Sequence, residues 1–577
     1  KIVFRLIYMK NTMINYRGNN MKKMKRRTFL KSMLLCELIL LASFGLLASN
    51  LWASGNEVHR YLSDLPFEMP EMALPEFPDR VFNVIDFGAI GNGMTVNTTA
   101  INTAIKACAQ SGGGTVIVPK GLWLTGPLKM ANNVNLHLQN GALVIFSPNR
   151  SDYPIINLPG KGFTTQPLIY GEKLENVAIT GEGIFDGCGE NWRPVKKFKT
   201  TASQWQELLK SGGVVNRSGD IWYPSAEAMQ GELFLDSLLA TKPKNELVAE
   251  DFLPARDFLR PELVLLNNCK RVLVDGPTFK NSPKWAFHTQ RCENIIIRNV
   301  KINNEWWAQN GDGIDISSCK NVLIYKCTVT AGDDAICMKS SKTKGQTKPS
   351  LQNVVVRDCI VYRGHGGFVI GSNTDGGMQN IFVDNCIFIG TDIGLRFKSA
   401  RDRGGLVENV IIRNIYMKDI VKEAILFNTY YENIGREEKT YPVTEKTPIF
   451  TNFRLDSIFC FSARQAIGVV GLPEMPISKI AIRNSTISAN AGFTAENARD
   501  FILENVNIIP KTEPILHLTQ CANFHLDTIG FPATISTFMV VSGKNTQSIR
   551  IKNTALSSLK NPIIFSKEVN TNSVIIE

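Results

Sequence analysis

The sequence predicts an all-β fold, a solenoid of short parallel strands, and three observations lead there. From about residue 290 one pattern recurs: an anchor, usually Asn, then apolar–x–apolar, then Asn or Asp, then a second short apolar alternation. It reads CENIIIRNVKI from Cys292, CKNVLIYKCTV from Cys319, LQNVVVRDCIV from Leu351, MQNIFVDNCIF from Met378 and VENVIIRNIYM from Val407. The anchors Asn294, Asn321, Asn353, Asn380 and Asn409 follow one another at 27, 32, 27 and 29 residues. No helical pattern lies between the copies, so the crossover helices of a doubly wound sheet are missing. Strands of period 2 repeated in this way stack as coils.

The elements follow in chain order. Residues 1–53 read as an upstream segment and a signal peptide: KKMKRRTFLK from Lys22 precedes an apolar run from Met33 to Leu47, with small residues near Ala48 and Ala53. Arg26-Arg27-Thr28-Phe29-Leu30-Lys31 resembles a twin-arginine signal, although Lys25 stands where Ser or Thr is usual; ordinary Sec export is the plainer expectation. The apolar run is short for a membrane span, and translation is expected to start at Met21 or Met24. Residues 54–80 form an N-terminal extension and 81–577 the solenoid. Thr98 to Ala109 reads as an amphipathic helix with Ile101, Ala104, Ile105 and Cys108 on one face and Gly112–Gly114 as its stop, a cap over the first coil. An insertion at about 198–256, with helical pieces at Ser203–Lys210 and Ala226–Leu239, interrupts the repeat. Weaker copies follow at ISKIAIRNSTI, ARDFILENVNI, CANFHLDTI and TQSIRIKNTAL.

Composition excludes several functions. The chain carries +12, but ten of its 64 Lys/Arg and one of its 52 acids lie in residues 1–53, which leaves the rest at +3. No basic field remains for nucleic acid or a membrane surface, so an acidic ligand must be met by a few placed cations. Twelve Cys are too few for a disulfide scaffold of this length, and those inside the repeats are expected as buried thiols.

Four segments break the polar–apolar rhythm with charge: Asn310-Gly311-Asp312-Gly313, Gly332-Asp333-Asp334, Gly364-His365-Gly366-Gly367 and Arg396-Phe397-Lys398. Asp312 and Asp333 are 21 residues apart, about one coil, and Asp333, His365 and Arg396 follow at 32 and 31. Asp333 and His365 each lie 12 residues after their anchors, so they occupy one place on adjacent coils. Three carboxylates, an imidazole and two cations thus share a column. Crowded carboxylates cannot all stay charged, so at least one pKa rises and supplies a protonated acid. The others can activate water, and a gap wide enough for that water gives inversion in glycoside hydrolysis. Arg396 and Lys398 alternate along one strand and can hold a sugar carboxylate.

The set NxDG, GDD, GHG and RxK, in this order, resembles glycoside hydrolase family 28, the polygalacturonases and their relatives. The likeness extends to FNVIDFGAIGNG from Phe82, GEGIFDG from Gly181, RPELVLLNNC from Arg260 and NSPKWAFH from Asn281. It implies a single-stranded right-handed parallel β-helix of the pectin-lyase type, with an N-terminal capping helix and a helical insertion. It further implies that Asp333 is the general acid, that Asp312 and Asp334 activate water, and that His365 tunes the acid. Arg396 and Lys398 would bind galacturonate beside the scissile bond, and Tyr430 in AILFNTYYEN would contact sugar. Gly311 stands where many members have Thr, and Asn92 and Asn97 where the N-terminal segment often has Asp.

The resulting expectation is an exported enzyme, periplasmic or extracellular, that cleaves α-1,4-linked galacturonic acid in pectin. It would be inverting, exo-acting and monomeric, with no metal or cofactor and with pectic polysaccharide or oligogalacturonide as its partner. The exo reading rests on the insertion, on loops at 341–350 and 437–447, and on likeness to bacterial exo-acting members. A rhamnogalacturonan-directed galacturonidase is the alternative. A calcium-dependent lyase, in which Asp312, Asp333 and Asp334 hold the ion, and a non-catalytic binding fibre are the rivals from other classes. Trp306 and Trp307 could stack on sugar or serve as wall; the sequence does not choose.

Overall fold

A computed structural model describes residues 57–159, 161–431 and 439–577. Residues Asp64–Glu577 form one compact unit, and in the separate stretch before it residues 57–62 make a short helix. The export segment lies outside the described residues. Among the described residues no helix is long and apolar enough to cross a membrane.

Each coil of the repeat contributes strands to three faces. On the first face Glu293–Arg298, Lys320–Tyr325 and Leu351–Arg357 pair in parallel, and the strand Met378–Ile389 continues the ladder. On the second face Lys301–Asn303, Thr328–Thr330 and Ile360–Tyr362 do the same. The third face is a sheet of parallel strands that includes Val264–Asn267, Phe287–Gln290, Ile314–Ser317, Asp334–Lys339, Gly366–Ile370, Leu395–Lys398 and Ile420–Asn428. The weaker sequence copies also form strands, at Ile477–Ala489, Ala498–Pro510, Ala522–Gly530 and Gln547–Lys552. The fold is a right-handed parallel β-helix.

Two left-handed residues per coil explain the repeating Asn. The anchors Asn294, Asn321, Asn353, Asn380 and Asn409 all have φ between 53° and 60°. At the second corner Asn299, Lys326, Asp358, Asn385 and Asn414 also have positive φ. This conformation costs an ordinary residue about 1–2 kcal/mol, and Asn and Asp tolerate it best. The anchor amides then form a ladder: Asn321 donates to Asn294 at 3.0 Å, Asn353 to Asn321 at 3.0 Å, Asn380 to Asn353 at 2.9 Å and Asn409 to Asn380 at 2.6 Å.

Between the corners, apolar side chains stack in the interior. Ile295, Val322, Val354 and Ile381 lie in one buried row, and Phe146, Phe185, Phe279 and Phe287 approach one another in succession with ring centroids 5.5–6.4 Å apart. The eleven described cysteines are free thiols, ten of them buried; Cys269, Cys292 and Cys319 stack, each sulfur of the later pair accepting from the backbone N–H of the preceding one. The helix Thr98–Gln110 buries Ile101, Ala104, Ile105 and Cys108, the face read from the sequence. Asn97 at its start gives its side chain to Ile90, Thr95 and Leu124 carbonyls and so pins the preceding loop.

The insertion contains the helices Ala202–Lys210 and Ala226–Thr241, with Thr201 and Gln204 forming a capping box on the first. Three short antiparallel strands, Val195–Lys196, Val214–Val215 and Ile221–Tyr223, join it. Trp307 packs on its small core of Val195, Trp205 and Trp222, so Trp307 is wall. The sequence reading did not anticipate the hairpin Ile155–Leu158/Gly162–Thr165, whose Phe163 stacks on Phe252 at 4.7 Å. Its residues lack the repeat pattern and gain their partner only through the insertion.

The Asn ladder generates a stability prediction. Asn353→Ala removes two amide hydrogen bonds and puts a Cβ residue at φ 57°. At about 1 kcal/mol per bond and about 1 kcal/mol for the backbone, the unfolding free energy should fall by roughly 2–4 kcal/mol in denaturant titration. Asn353→Gly should lose less, because glycine adopts the turn freely. Equal losses for both would deny the conformational part.

Candidate active site

The third face sets the site by register. Its inward row runs Val264, Phe287, Ile314, Ile336, Phe368, Leu395 and Ile425, all buried. One residue on, the outward row runs Leu265, His288, Asp315, Cys337, Val369, Arg396 and Leu426. Because Asp334 pairs with Gly366, Asp333 falls beside His365, as the spacing indicated. The other stack differs by one residue: Ile314 pairs with Ile336, which puts Asp312 beside Asp334 rather than Asp333. The coil is 22 residues long at that point, a length that the anchors do not reveal.

Asp312, Asp333 and Asp334 bring oxygens within 4.8 Å of one another. His365 Nδ1 lies 3.0 Å from Asp333 Oδ1, and the His365 backbone N–H donates to the Asp333 carbonyl at 2.7 Å. Both oxygens of Asp334 are engaged, Oδ1 by Arg396 at 3.1 Å and Oδ2 by Lys398 at 2.7 Å. Gly366 makes room for this: a Cβ there would lie 3.2 Å from Cβ of Arg396 and 2.5 Å from Val369. At Gly311 a Cβ would meet that of Ala308 at 2.7 Å, so this loop is packed for glycine.

Residues that sequence reasoning missed complete the charge balance. Lys339 reaches Asp312 Oδ2 at 3.4 Å, forms a close ion pair with Asp315 and lies 4.6 Å from the ring of Trp285. The paired cations of the column are therefore three, and not Arg396 and Lys398 alone. Behind them Glu262 accepts from Lys161 at 2.6 Å and binds His288 Nδ1 at 2.8 Å, while His288 Nε2 meets Ser317 at 2.8 Å. Asp315 and Lys339 lay two or more places beyond their motifs, where only the strand alternation signals an outward side chain.

The electrostatics divide the carboxylates. Burial pushes Asp312 well above the ordinary carboxylate range, and the charges of Asp315 and Asp333 add to that. Burial raises Asp315 to about 6 against the pull of Lys339. Burial acts upward on Asp334 too, but Lys398, Arg396 and Lys339 outweigh it and hold this group well below its usual value. For Asp333 burial is likewise overcome, chiefly by the hydrogen bond to His365, so its carboxyl is also lowered. At least one raised carboxyl is what the column was expected to contain; two are raised, Asp312 and Asp315, and Asp333 is not one of them. Asp312 Oδ1 is buried without a hydrogen-bond partner in the protein, which marks it as an acceptor for a donor from outside.

A cavity of about 670 Å³ opens beside Asp333 and His365, lined by Arg396, Tyr431, Lys422, Trp306 and, from the insertion, Phe198 and Lys199. Lys199 sits 5.7 Å from the Trp306 ring. Tyr431 lies under Lys398 and Arg396 at 4.8 and 5.6 Å. Tyr430, expected to contact sugar, is instead buried with Val470 and Leu472 and has Arg401 over its ring at 5.1 Å. Successive residues leave the strand Ile420–Asn428 on opposite sides, and it is the second tyrosine that meets the cavity. The three aspartates fit a calcium site poorly: calcium wants six to eight oxygens, whereas both oxygens of Asp334 are held by cations, and Lys339 takes one oxygen of Asp312 and His365 one of Asp333.

Residues 256–490 match the sequence pattern of Glycosyl hydrolases family 28. An exo-poly-alpha-D-galacturonosidase of Dickeya chrysanthemi is 27% identical over 384 residues, 63% of this chain and 59% of that protein. The chain thus spans about three fifths of the length of that relative. The structure of a hyperthermoactive exopolygalacturonase from Thermotoga maritima is similar at 29% identity and a TM-score of 0.61, over 77% of this chain and 95% of that one. A family 28 exopolygalacturonase of Yersinia enterocolitica shares the fold at 23% identity and a TM-score of 0.62, covering 79% of each chain. The matched segment carries every residue of the carboxylate column, Asp312, Asp333, Asp334, His365, Arg396 and Lys398.

Proposed function

We propose that the protein is an inverting exo-polygalacturonase, releasing galacturonate units from an end of de-esterified pectic chains, and that it acts outside the cytoplasm. The observation that carries this is the Asp312–Asp333–Asp334 cluster, tied to placed cations and opening on a cation-rimmed cavity with aromatic walls. The exo-acting relatives and the hairpin at residues 155–165 support the chain-end reading. Lys161 of that hairpin meets Glu262 two coils from Asp312, where a chain lying along the column would stop.

Asp333 is assigned as the general acid because its side chain is 18% exposed, against 5% for Asp312 and 3% for Asp334, and so it alone reaches a leaving oxygen. A substrate carboxylate arriving at Arg396 adds negative charge beside Asp333 and raises its pKa, which loads the proton. Asp312 and Asp334 position the attacking water, with the unpaired Asp312 Oδ1 as acceptor. Arg396, at the cavity, binds the uronate carboxylate; Lys398, buried against Asp334, supports it, and Tyr431 takes the sugar-contacting role first given to Tyr430.

The carboxylate spacing bears on stereochemistry. Inverting pairs commonly stand about 6.5–9.5 Å apart, and these oxygens are closer. Inversion is favoured here because two carboxyl groups, Asp312 and Asp334, stand by the single acid Asp333, and both oxygens of Asp334 are held by cations, so it is no ready nucleophile.

Three measurements test this reading. On de-esterified polygalacturonate the enzyme should release one short saturated product throughout, with methyl-esterified polymer cut far more slowly. Random fragments at early times would overturn exo action, a preference for rhamnogalacturonan fractions would move the substrate, and unsaturated product lost on chelation would mean a lyase. Asp333→Asn should lower kcat by about 10²–10⁴-fold or more with the fold retained; a loss under about tenfold removes the assignment. Proton NMR of the first product should show the β-anomer before mutarotation. An early α-anomer would assign the attack to a carboxylate.

A further inference from the structure

On the other side of Asp312 from Arg396 lies a second cavity of about 490 Å³, between the hairpin at 155–165, the end of the insertion and the segment Lys284–Trp285. The register places it one to two coils before Asp312: Ala286 N–H donates to the Asp312 carbonyl, and Val264 pairs with Phe287. Strand spacing makes that about 5–10 Å along the axis.

Its charge is unbalanced. Lys161, Arg260 and Lys284 line it against the single acid Glu262. Glu262 is already engaged by Lys161 and His288. Arg260 donates to uncharged groups, the Pro283 carbonyl at 3.4 Å, the Gln309 carbonyl at 3.0 Å and Asn310 Oδ1 at 2.8 Å. The Lys284 ammonium makes no hydrogen bond or ion pair among the described residues; its contact is the Trp285 ring at 5.9 Å. Burial accordingly presses its pKa down. A half-buried cation whose nearest acid, Glu262, is already shared by Lys161 and His288 is costly unless a ligand supplies a further anion.

We propose that this cavity binds the carboxylate of a second substrate uronate, on the far side of the scissile bond from Arg396, with Lys284 as its counter-ion. The proposal rests on the polygalacturonase reading and sharpens it: recognition requires a free carboxylate on both sides of the bond that breaks. Trp285 and Arg260 would form the walls, and the hairpin would limit how far the chain extends.

The test compares Lys284→Met and Lys284→Arg with the parent enzyme on oligogalacturonides. Lys284→Met should raise KM about tenfold or more, exceeding any fall in kcat, as expected for lost charge-assisted binding. Lys284→Arg should recover most of the loss. Free galacturonate should inhibit the parent more strongly than galactose does, and that difference should shrink in Lys284→Met. Unfolding midpoints should stay together, since Lys284 ties down no other group. KM within about twofold of the parent, on oligomers that the parent cleaves, overturns this proposal alone. Failure of the parent to cleave any galacturonide overturns the functional reading and this one together.

Discussion

In-register stacking of parallel coils is the constraint from which the rest follows. Each strand hydrogen-bonds only to the coil before and the coil after, so a side chain's neighbours are set by its place on the coil. The Asn anchors hold that place, because the left-handed corner and the amide ladder occur at one residue per coil. The buried row Ile314, Ile336, Phe368 and Leu395 enforces it again. A slip of one residue would send Asp315 and Arg396 into the apolar interior and expose their neighbours, so no intermediate register is tolerable.

The same rigidity lets the fold hold four carboxylates together. Desolvated charges cost several kcal/mol apiece unless each finds a partner of opposite sign. Here Lys339, Arg396 and Lys398 come from strands one or two coils away from their carboxylates and arrive already aligned. The partners also differentiate chemically similar groups. Asp334 sits between two cations and is held low, while Asp312 has one ammonium at 3.4 Å and three acidic neighbours and rises. Neighbouring carboxyls are thereby given opposite tendencies to bind a proton within a few ångströms.

What surrounds the column comes from parts of the chain that do not repeat. The insertion brings Lys199 and Phe198 to one side of the carboxylates and, at its end, Arg260 to the other. The hairpin at 155–165 adds Lys161 and is braced by Phe252 of the insertion. Chemistry is thus carried by the regular face, whereas the shape of the groove and its preference for charge are carried by irregular segments fitted against it.

By itself the sequence determined the solenoid, its recurring Asn anchors, its capping helix and the grouping of Asp312, Asp333, Asp334, His365, Arg396 and Lys398. Each of these is written in a period or a short motif, and a parallel stack converts sequence period directly into proximity. Tertiary structure decided which members touch. Asp312 meets Asp334 because that coil has 22 residues, and Tyr431 rather than Tyr430 meets the cavity because the chain leaves its strand on that side. Lys339, Glu262 and Lys284 have no motif to announce them, and the hairpin has no repeat. Their roles arise from contacts between segments that share no motif, from 24 residues apart for Lys339 and Asp315 to 101 for Lys161 and Glu262, and no local pattern encodes them.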